Sequence, residues 1–581
     1  MGRTRDKIKE KLGRAPPRPP VAPDQSPYGN LNEILRDSYS PAIILPRRGD
    51  SPSAKIYYSH FRHVIKNLAA QPPFSNLRPR DVLTYLLPNS LEHVAVFFAT
   101  TSVRAVANPL NPSYTAEEIA YYLKDVGSKC IVVPKGDAAI LAAVKKAIEI
   151  AGCSGINVFE VWTAVATVIR KDKPVRKVDK ERRVDVIDPI VHVKPVDGLP
   201  YTVRQPVQPE ERGAPVADDV ALMLHTSGTT GRPKGVPLTH GNILRTLKNI
   251  EDTYRLTYAD VSYLVMPLFH VHGLIGALLS TFHSGGTVVI PPKFSVTSFW
   301  HDFIQHGCTW YSAVPTIHQM LLLKAKDTYN GSSGKLRFIR SCSSSLAPAT
   351  LFQLEKTFKA PVVEAYAMSE AAHQMTANFL PPGMRKPGSV GKGRGVEVRI
   401  LDGEGKPVKQ RGTGEVCIRG SNVITAYHNN DKATQESFFV DTSNSTGGKW
   451  FRTGDLGYID EMGFLFLVGR IKEQINRGGE KISPVEIDQV LLQCRGVSEA
   501  VTFAVSSSIY GQEVEAVVVP KDDFKGKLTE ADVLAHAKKS LATFKVPRKI
   551  HIANAVPKTA TGKVQRLHVA EAFAAPVKAK L

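Results

Sequence analysis

The sequence predicts an α/β protein in two parts, a large N-terminal unit of stacked α/β layers and a smaller α/β unit after about Arg470. Three observations carry this. The chain has 581 residues, 43% of them hydrophobic, which is more than one compact domain usually holds and enough to fill a sizeable core. From about Tyr57 onward, apolar runs alternate with amphipathic stretches, the pattern of layered α/β architecture. A fresh series of helix caps and strand-like runs then begins after Arg470.

Taken in order, residues 1–40 form a lead-in whose proline-rich part, residues 14–27, resists both helix and sheet. Residues 82–86 and 130–133 read as buried strands, and 116–123 and 138–150 as helices. Residues 161–219 are rich in charge, valine and proline without a clear period and are expected to form an irregular excursion. The uncharged stretch 261–292 is long enough to raise the question of a membrane span. Pro267, His270, His272, His283 and the pair Gly285-Gly286 interrupt it, so it reads as strand, helix and strand in a buried core. In the second unit, Ser483-Pro484-Val485-Glu486 opens a helix with a serine cap, a proline in the first turn and a glutamate placed for a capping box. A further helix starts at Thr529, and residues 501–505 and 516–519 are strand-like.

Charge narrows the function. The formal balance of +21 favours polyanions such as nucleic acid, a membrane surface, ATP or coenzyme A, and composition alone does not choose among them. No Lys/Arg cluster with interleaved aromatics marks a nucleic-acid module, so no stable nucleic-acid partner is expected. The six cysteines lie far apart without a CxxC pair, which points away from a zinc site or disulfide framework and toward a reducing compartment. The charged start has no secretory core, and no transmembrane segment is expected. The C-terminal Ala579-Lys580-Leu581 is similar to the Ser-Lys-Leu address read by the peroxisomal import receptor. The expected location is the peroxisome matrix, with the cytoplasm as the alternative.

The most informative stretch is Thr226-Ser227-Gly228-Thr229-Thr230-Gly231-Arg232-Pro233-Lys234-Gly235, directly after an apolar strand-like run. Glycines and small hydroxyl residues let backbone N–H groups approach phosphate oxygens, and Lys234 adds a mobile cation. It is a phosphate-gripping loop, though not a Walker A loop, because Pro233 and Gly235 flank the lysine. Here the sequence resembles the acyl-activating superfamily of acyl-CoA synthetases, peptide-synthetase adenylation domains and beetle luciferases. The resemblance continues through Tyr366-Ala367-Met368-Ser369-Glu370, Phe451-Arg452-Thr453-Gly454-Asp455, Val468-Gly469-Arg470-Ile471-Lys472-Glu473 and Pro557-Lys558-Thr559-Ala560-Thr561-Gly562-Lys563, in family order.

That resemblance implies a large ATP- and acid-binding, adenylate-forming domain over residues 41–470, and a small mobile domain over 471–581 carrying a catalytic lysine. It implies an ATP-dependent acid–CoA ligase using ATP, coenzyme A and Mg²⁺. Tyr366 offers a π-face for adenine, Ser369 a hydroxyl for phosphate, and Glu370 a hard oxygen ligand for Mg²⁺. Asp455 and Arg470 suit the ribose and phosphate. Lys563 would stabilise the dianionic transition state as carboxylate attacks phosphate, with Lys234 and Glu370 beside it; Lys558 is a rival that matches no catalytic position. Lys472 falls at the hinge position, and Gly478 and Gly479 would let the pantetheine arm pass, an ordinary hairpin turn being the other reading.

The acid pocket is expected from four segments, Met266 onward, Trp310 onward, Arg340-Ser341-Cys342-Ser343-Ser344-Ser345 and Ala371-Ala372-His373, with His270, His318, Ser343, Ser344 and His373 as its lining. A long acyl chain would want apolar walls, so this inventory favours a small acid with a second polar end. The strings look most like the oxalate–CoA ligases of fungi and plants, although the lead-in and residues 161–219 depart from that pattern. A medium-chain or aryl-CoA synthetase is the alternative. A nucleic-acid-binding protein is the reading from another class, and the ordered motifs argue against it.

Overall fold

The computed structural model describes residues 26–47, 53–169, 184–226, 233–332, 334–440, 449–559 and 564–574. Among the described residues, sixteen strands form one continuous sheet. One arm runs from Lys392–Gly393 through His373–Ala377, Val362–Met368, Phe338–Cys342, Trp310–Ala313, Val261–Tyr263 and Thr287–Val289. It then passes through Pro41–Leu45, Ser53–Tyr57, Val184–Pro195, Asn157–Ile169, Cys130–Pro134, Val82–Tyr85, Val106–Pro109 and Val220–Thr226 to Lys234–Thr239. The central strands of both arms pair in parallel. Their side chains are buried on both faces, which is why they do not show the apolar–polar alternation of a half-exposed strand.

The covering helices start and stop where their capping residues dictate. Ser90 accepts from the His93 N–H to open Leu91–Ser102. Thr115 and Glu118 close a reciprocal capping box on Ala116–Val126, which ends at left-handed Gly127. Asp137 caps Ala138–Ala151.

The expected irregular excursion is corrected in its first half. Asn157–Ile169 and Val184–Pro195 are long antiparallel strands that extend the main sheet. Phe159, Val161, Val191 and Val193 face the core, while Val165 and Ile190 face solvent. Apolar residues on both faces erased the alternation that would have marked a strand. From Val196 to Asp219 the chain is irregular apart from one turn, Pro209–Arg212. The uncharged stretch folds as expected, with strands Val261–Tyr263 and Thr287–Val289 around a helical run that includes a π-turn at Leu274–Leu279. Among the described residues no helix is long and apolar enough to cross a membrane.

A second sheet joins Glu397–Leu401, Gly414–Arg419, Lys449–Ile459, Phe438–Val440 and Leu465–Arg470. After one turn, Ile471–Glu473, a third sheet contains Ile475–Arg477, Glu480–Ile482, Val497–Ser507, Gly511–Pro520 and Lys549–Ile552. Helices Pro484–Leu491 and Glu530–Ser540 cover it through Ile487, Leu491, Val533 and Ala537. Thr529 and Asp532 form a capping box at the second of these helices. At the first, Ser483 accepts from the Glu486 N–H, but the Glu486 carboxylate pairs with Lys545 at 2.7 Å, so the expected reciprocal bond is replaced by an ion pair. The Ser483 hydroxyl also donates to the Val468 carbonyl, tying the helix start to the preceding sheet.

Candidate active site

In open α/β sheets, ligands bind outside the carboxyl ends of the parallel strands. Here the ends of Val106–Pro109 and Val220–Thr226 from one arm meet the loops after Val261–Tyr263 and Val362–Met368 from the other. The crevice between them is lined by Asn111, Tyr122, His225, His270 and Ser369. His225 faces it with Nε2 held by Asp125 at 2.9 Å. Thr226 and Lys234 sit opposite each other across a strand pair. The phosphate-loop residues Ser227, Gly228, Thr229, Thr230 and Gly231 between them lie outside the described residues, as does Lys563.

Two clusters gather the expected nucleotide groups. In the first, Lys234 Nζ lies over the Tyr427 ring, and the Tyr427 hydroxyl donates to Glu370 Oε1 at 2.9 Å. Burial raises the Tyr427 phenol well above its ordinary range, with Glu370 adding to the effect, so it stays a donor. In the second, the Tyr366 hydroxyl donates to Asp455, and Arg470 Nε reaches the other Asp455 oxygen at 3.0 Å. Burial, then the Asp455 charge, raises the Tyr366 phenol in the same way. Asp455 is therefore both oriented and charge-balanced. Glu370 is buried, and among the described residues no group of three or more metal-ligating side chains occurs. One buried carboxylate is a donor set that fits Mg²⁺ carried on a nucleotide, which needs few protein ligands.

The acid-pocket residues divide. His270, Ser343 and His373 lie around one buried histidine, His272. The His270 ring accepts from the His272 N–H at 3.2 Å, Ser343 Oγ is 3.0 Å from His272 Nδ1, and the His373 ring stacks on the His272 ring with centroids 5.4 Å apart. Gly276 packs directly under His373, where a Cβ would collide with the imidazole. Ser343 and His373 both have left-handed backbones, φ +75° and +104°, costly conformations for non-glycine residues that cluster at functional sites. Ser344 is exposed, its hydroxyl turned back to the Ser343 carbonyl.

His318 is not part of this group, and its expected place in the lining is corrected. Along Trp310–Ala313 the side chains alternate, so Ser312 faces His272 while Tyr311 faces the opposite layer, and His318 packs with Tyr311 at 3.4 Å. Burial pushes its pKa down to about 4.

In the small third-sheet unit, Gly478 and Gly479 form the turn of a hairpin between Arg477 and Glu480, with φ +60° and +96°. The tight two-residue form with both φ positive is the one glycine serves best. Lys472 lies in the turn Ile471–Glu473. The rival lysine, Lys558, pairs with Glu499 at 2.7 Å. Arg566, just past the undescribed Lys563 segment, holds Glu473, Asp488 and the Thr502 carbonyl.

Sequence reasoning missed Tyr427, which stands in a stretch without motif character. Arg340 and Ser312 fell within the expected pocket segments but were given no role of their own. A lone arginine inside the buried strand Phe338–Cys342 was the available signal, since arginine is almost never fully buried without partners.

An α/β architecture with polar and charged side chains gathered at the ends of its parallel strands is what fold and site together define. The chain belongs to the AMP-binding enzyme family: residues 45–428 match that family and 486–563 match the AMP-binding enzyme C-terminal domain. It is 43% identical to an oxalate–CoA ligase of Saccharomyces cerevisiae, covering 94% of this chain and 97% of the relative. It is 44% identical to an oxalate–CoA ligase of Arabidopsis thaliana, with 91% and 96% covered. Among solved structures, ATP-bound MatB from Rhodopseudomonas palustris is similar with a TM-score of 0.74 at 28% identity, covering 94% of this chain and 98% of that one.

Proposed function

We propose that this AMP-forming acid–CoA ligase acts on oxalate. The observation that carries the reading is the His272–His373 stack resting on Gly276, with Ser343 beside it. Imidazoles and a hydroxyl occupy the space in which a longer acyl chain would need apolar walls. The names of the yeast and plant relatives support the same substrate.

In the first half-reaction, a carboxylate oxygen of oxalate attacks the α-phosphorus of ATP, forming the acyl-adenylate and releasing pyrophosphate. Tyr366, Asp455 and Arg470 hold the nucleoside, Ser369 and residues 226–231 hold phosphate oxygens, and Lys234 and Lys563 stabilise the charge that develops. Mg²⁺, which Glu370 would hold, neutralises the phosphates when bound. In the second half-reaction, the thiol of coenzyme A attacks the acyl carbon as a thiolate, the thioester forms, and AMP leaves. We assign Lys472 as the hinge over which residues 471–581 turn between the two steps, with Gly478 and Gly479 flanking the thiol's approach.

The test is ATP–pyrophosphate exchange with a panel of acids. Oxalate should exceed acetate, coumarate and octanoate by tenfold or more, on the scale of about 1–3 kcal/mol of pocket discrimination. A clear win for octanoate or coumarate overturns the reading. The same proposal takes Ala579-Lys580-Leu581 as a peroxisomal address; deleting it should shift the protein to the cytosol without loss of purified activity, and unchanged location refutes that part.

A further inference from the structure

The strand Phe338–Cys342 carries a guanidinium into the interior: Arg340 is 0% exposed. Its Nε donates to the Tyr254 hydroxyl at 3.0 Å, one terminal nitrogen to Ser312 Oγ at 3.0 Å, and the other to Gln374 Oε1 at 3.2 Å. These are neutral partners, so the charge is solvated by dipoles alone. A buried charge held this way is expensive, and it lies one residue from the acid pocket, because Ser312 Oγ is also 2.7 Å from His272 Nε2.

We propose that Arg340 and Ser312 are positioning residues for the acid, acting through a hydrogen-bond relay of fixed direction, Arg340 to Ser312 to His272 to Ser343. A guanidinium can only donate. Ser312 Oγ accepts from it and donates its own hydrogen bond to an unprotonated His272 Nε2. That places the single ring proton of the neutral imidazole on Nδ1, which donates to Ser343 Oγ at 3.0 Å. The half-buried Ser343 hydroxyl is left with its proton to give, held at the pocket by the left-handed backbone there. The end of the relay is a donor poised for an anion, the far carboxylate of a two-carboxylate acid. Stacking on His373 keeps the His272 ring in the plane the relay needs. An apolar residue at 340 would leave Ser312 free to turn its proton elsewhere and His272 free to change tautomer. The substrate part of this inference rests on the oxalate reading; the direction of the relay does not.

Two measurements test it. Neutron diffraction from wild-type crystals should find the His272 deuterium on Nδ1 and none on Nε2; a deuterium on Nε2 overturns the relay without any variant. In solution, Ser312→Ala should raise KM for oxalate on the order of tenfold, the effect of losing one oriented hydrogen bond to a charge, while KM for ATP stays within twofold. Arg340→Met should do the same. A KM for oxalate unchanged in Ser312→Ala, or equal losses toward ATP and acid, overturns the positioning role. If wild-type enzyme prefers another acid, the oxalate reading fails by itself, and the neutron result still decides the relay.

Discussion

The ammonium of Lys234 lies 4.4 Å from the centre of the Tyr427 ring. That one side chain therefore steers both charges of this cluster, since its hydroxyl holds Glu370 at the same time. A cation over an aromatic face contributes about 0.5–2 kcal/mol, enough to keep a flexible lysine aimed before the nucleotide arrives.

Tyr427→Phe keeps the ring and removes the hydroxyl, so Lys234 should stay in place while Glu370 loses its orienting donor. ATP–pyrophosphate exchange should fall roughly tenfold, the scale of one lost bond to a charged group, and part of the loss should return at high Mg²⁺. Tyr427→Ala should fall further and show no such recovery. Equal behaviour of the two variants would mean that the ring-to-lysine contact does nothing.

The two half-reactions should separate by residue. Lys563→Ala should lower adenylation by about 10²–10³, as when one transition-state donor is removed, yet form thioester from supplied acyl-adenylate at a near-normal rate. Lys472→Pro should do the reverse and accumulate adenylate, because proline fixes φ at the turn over which the small unit rotates. Folded variants that lose both halves equally would refute the rotation.

Two residues that the sequence grouped together should behave differently. Ser343→Ala should raise KM for oxalate by roughly tenfold with little change in stability. His318→Ala empties a buried site on the other face of the strand and should cost about 2–4 kcal/mol of stability, with KM for oxalate within twofold of wild type. Denaturant titration beside steady-state kinetics reads both, and a selective oxalate defect in His318→Ala would place that ring in the pocket after all.

Acid should weaken the fold. His93, His240 and His318 are fully buried, and burial pushes each pKa down to about 4. Below about pH 6.5 the unfolded chain takes up these protons and the folded chain does not, so each ring removes roughly 1.4 kcal/mol per pH unit down to about pH 4. Glu364, pushed up to about 8 by burial, works the other way, since its neutral form in the fold becomes less costly as pH falls. Three groups outweigh one. Urea midpoints should drop between pH 6.5 and 5, and His318→Gln should flatten that slope; midpoints that hold or rise on acidification contradict this account.

Chemistry-bearing residues close together in sequence were the easiest to find. The strands at 82–86 and 130–133, the cap at Thr529 and the ordered motifs through Lys472 could all be read locally, because each depends on its own neighbours for geometry. What stayed hidden depends on the other face or the other strand. The hairpin pairing Phe159 with Pro195 has no period to read because both of its faces carry valine and isoleucine. His318 and Ser312 lie six residues apart, and only strand alternation sends them to opposite layers. Tyr427 joins Lys234 and Glu370 across long stretches of chain, a meeting that only the folded sheet arranges.

At Gly276 the backbone lies bare against the His373 ring, and His373 itself sits at φ +104°, a conformation glycine adopts without penalty. If the proposed pocket holds the acid, its size limit is set by a removable ring on a backbone that already favours having no side chain. His373→Gly should vacate an imidazole's volume and relieve the backbone at once, leaving the phosphate-binding groups where they are. In evolutionary terms a roomier pocket stands one amino-acid substitution away from this one. Descendants of this scaffold could exchange a two-carbon acid for a longer one without rebuilding the half that consumes ATP.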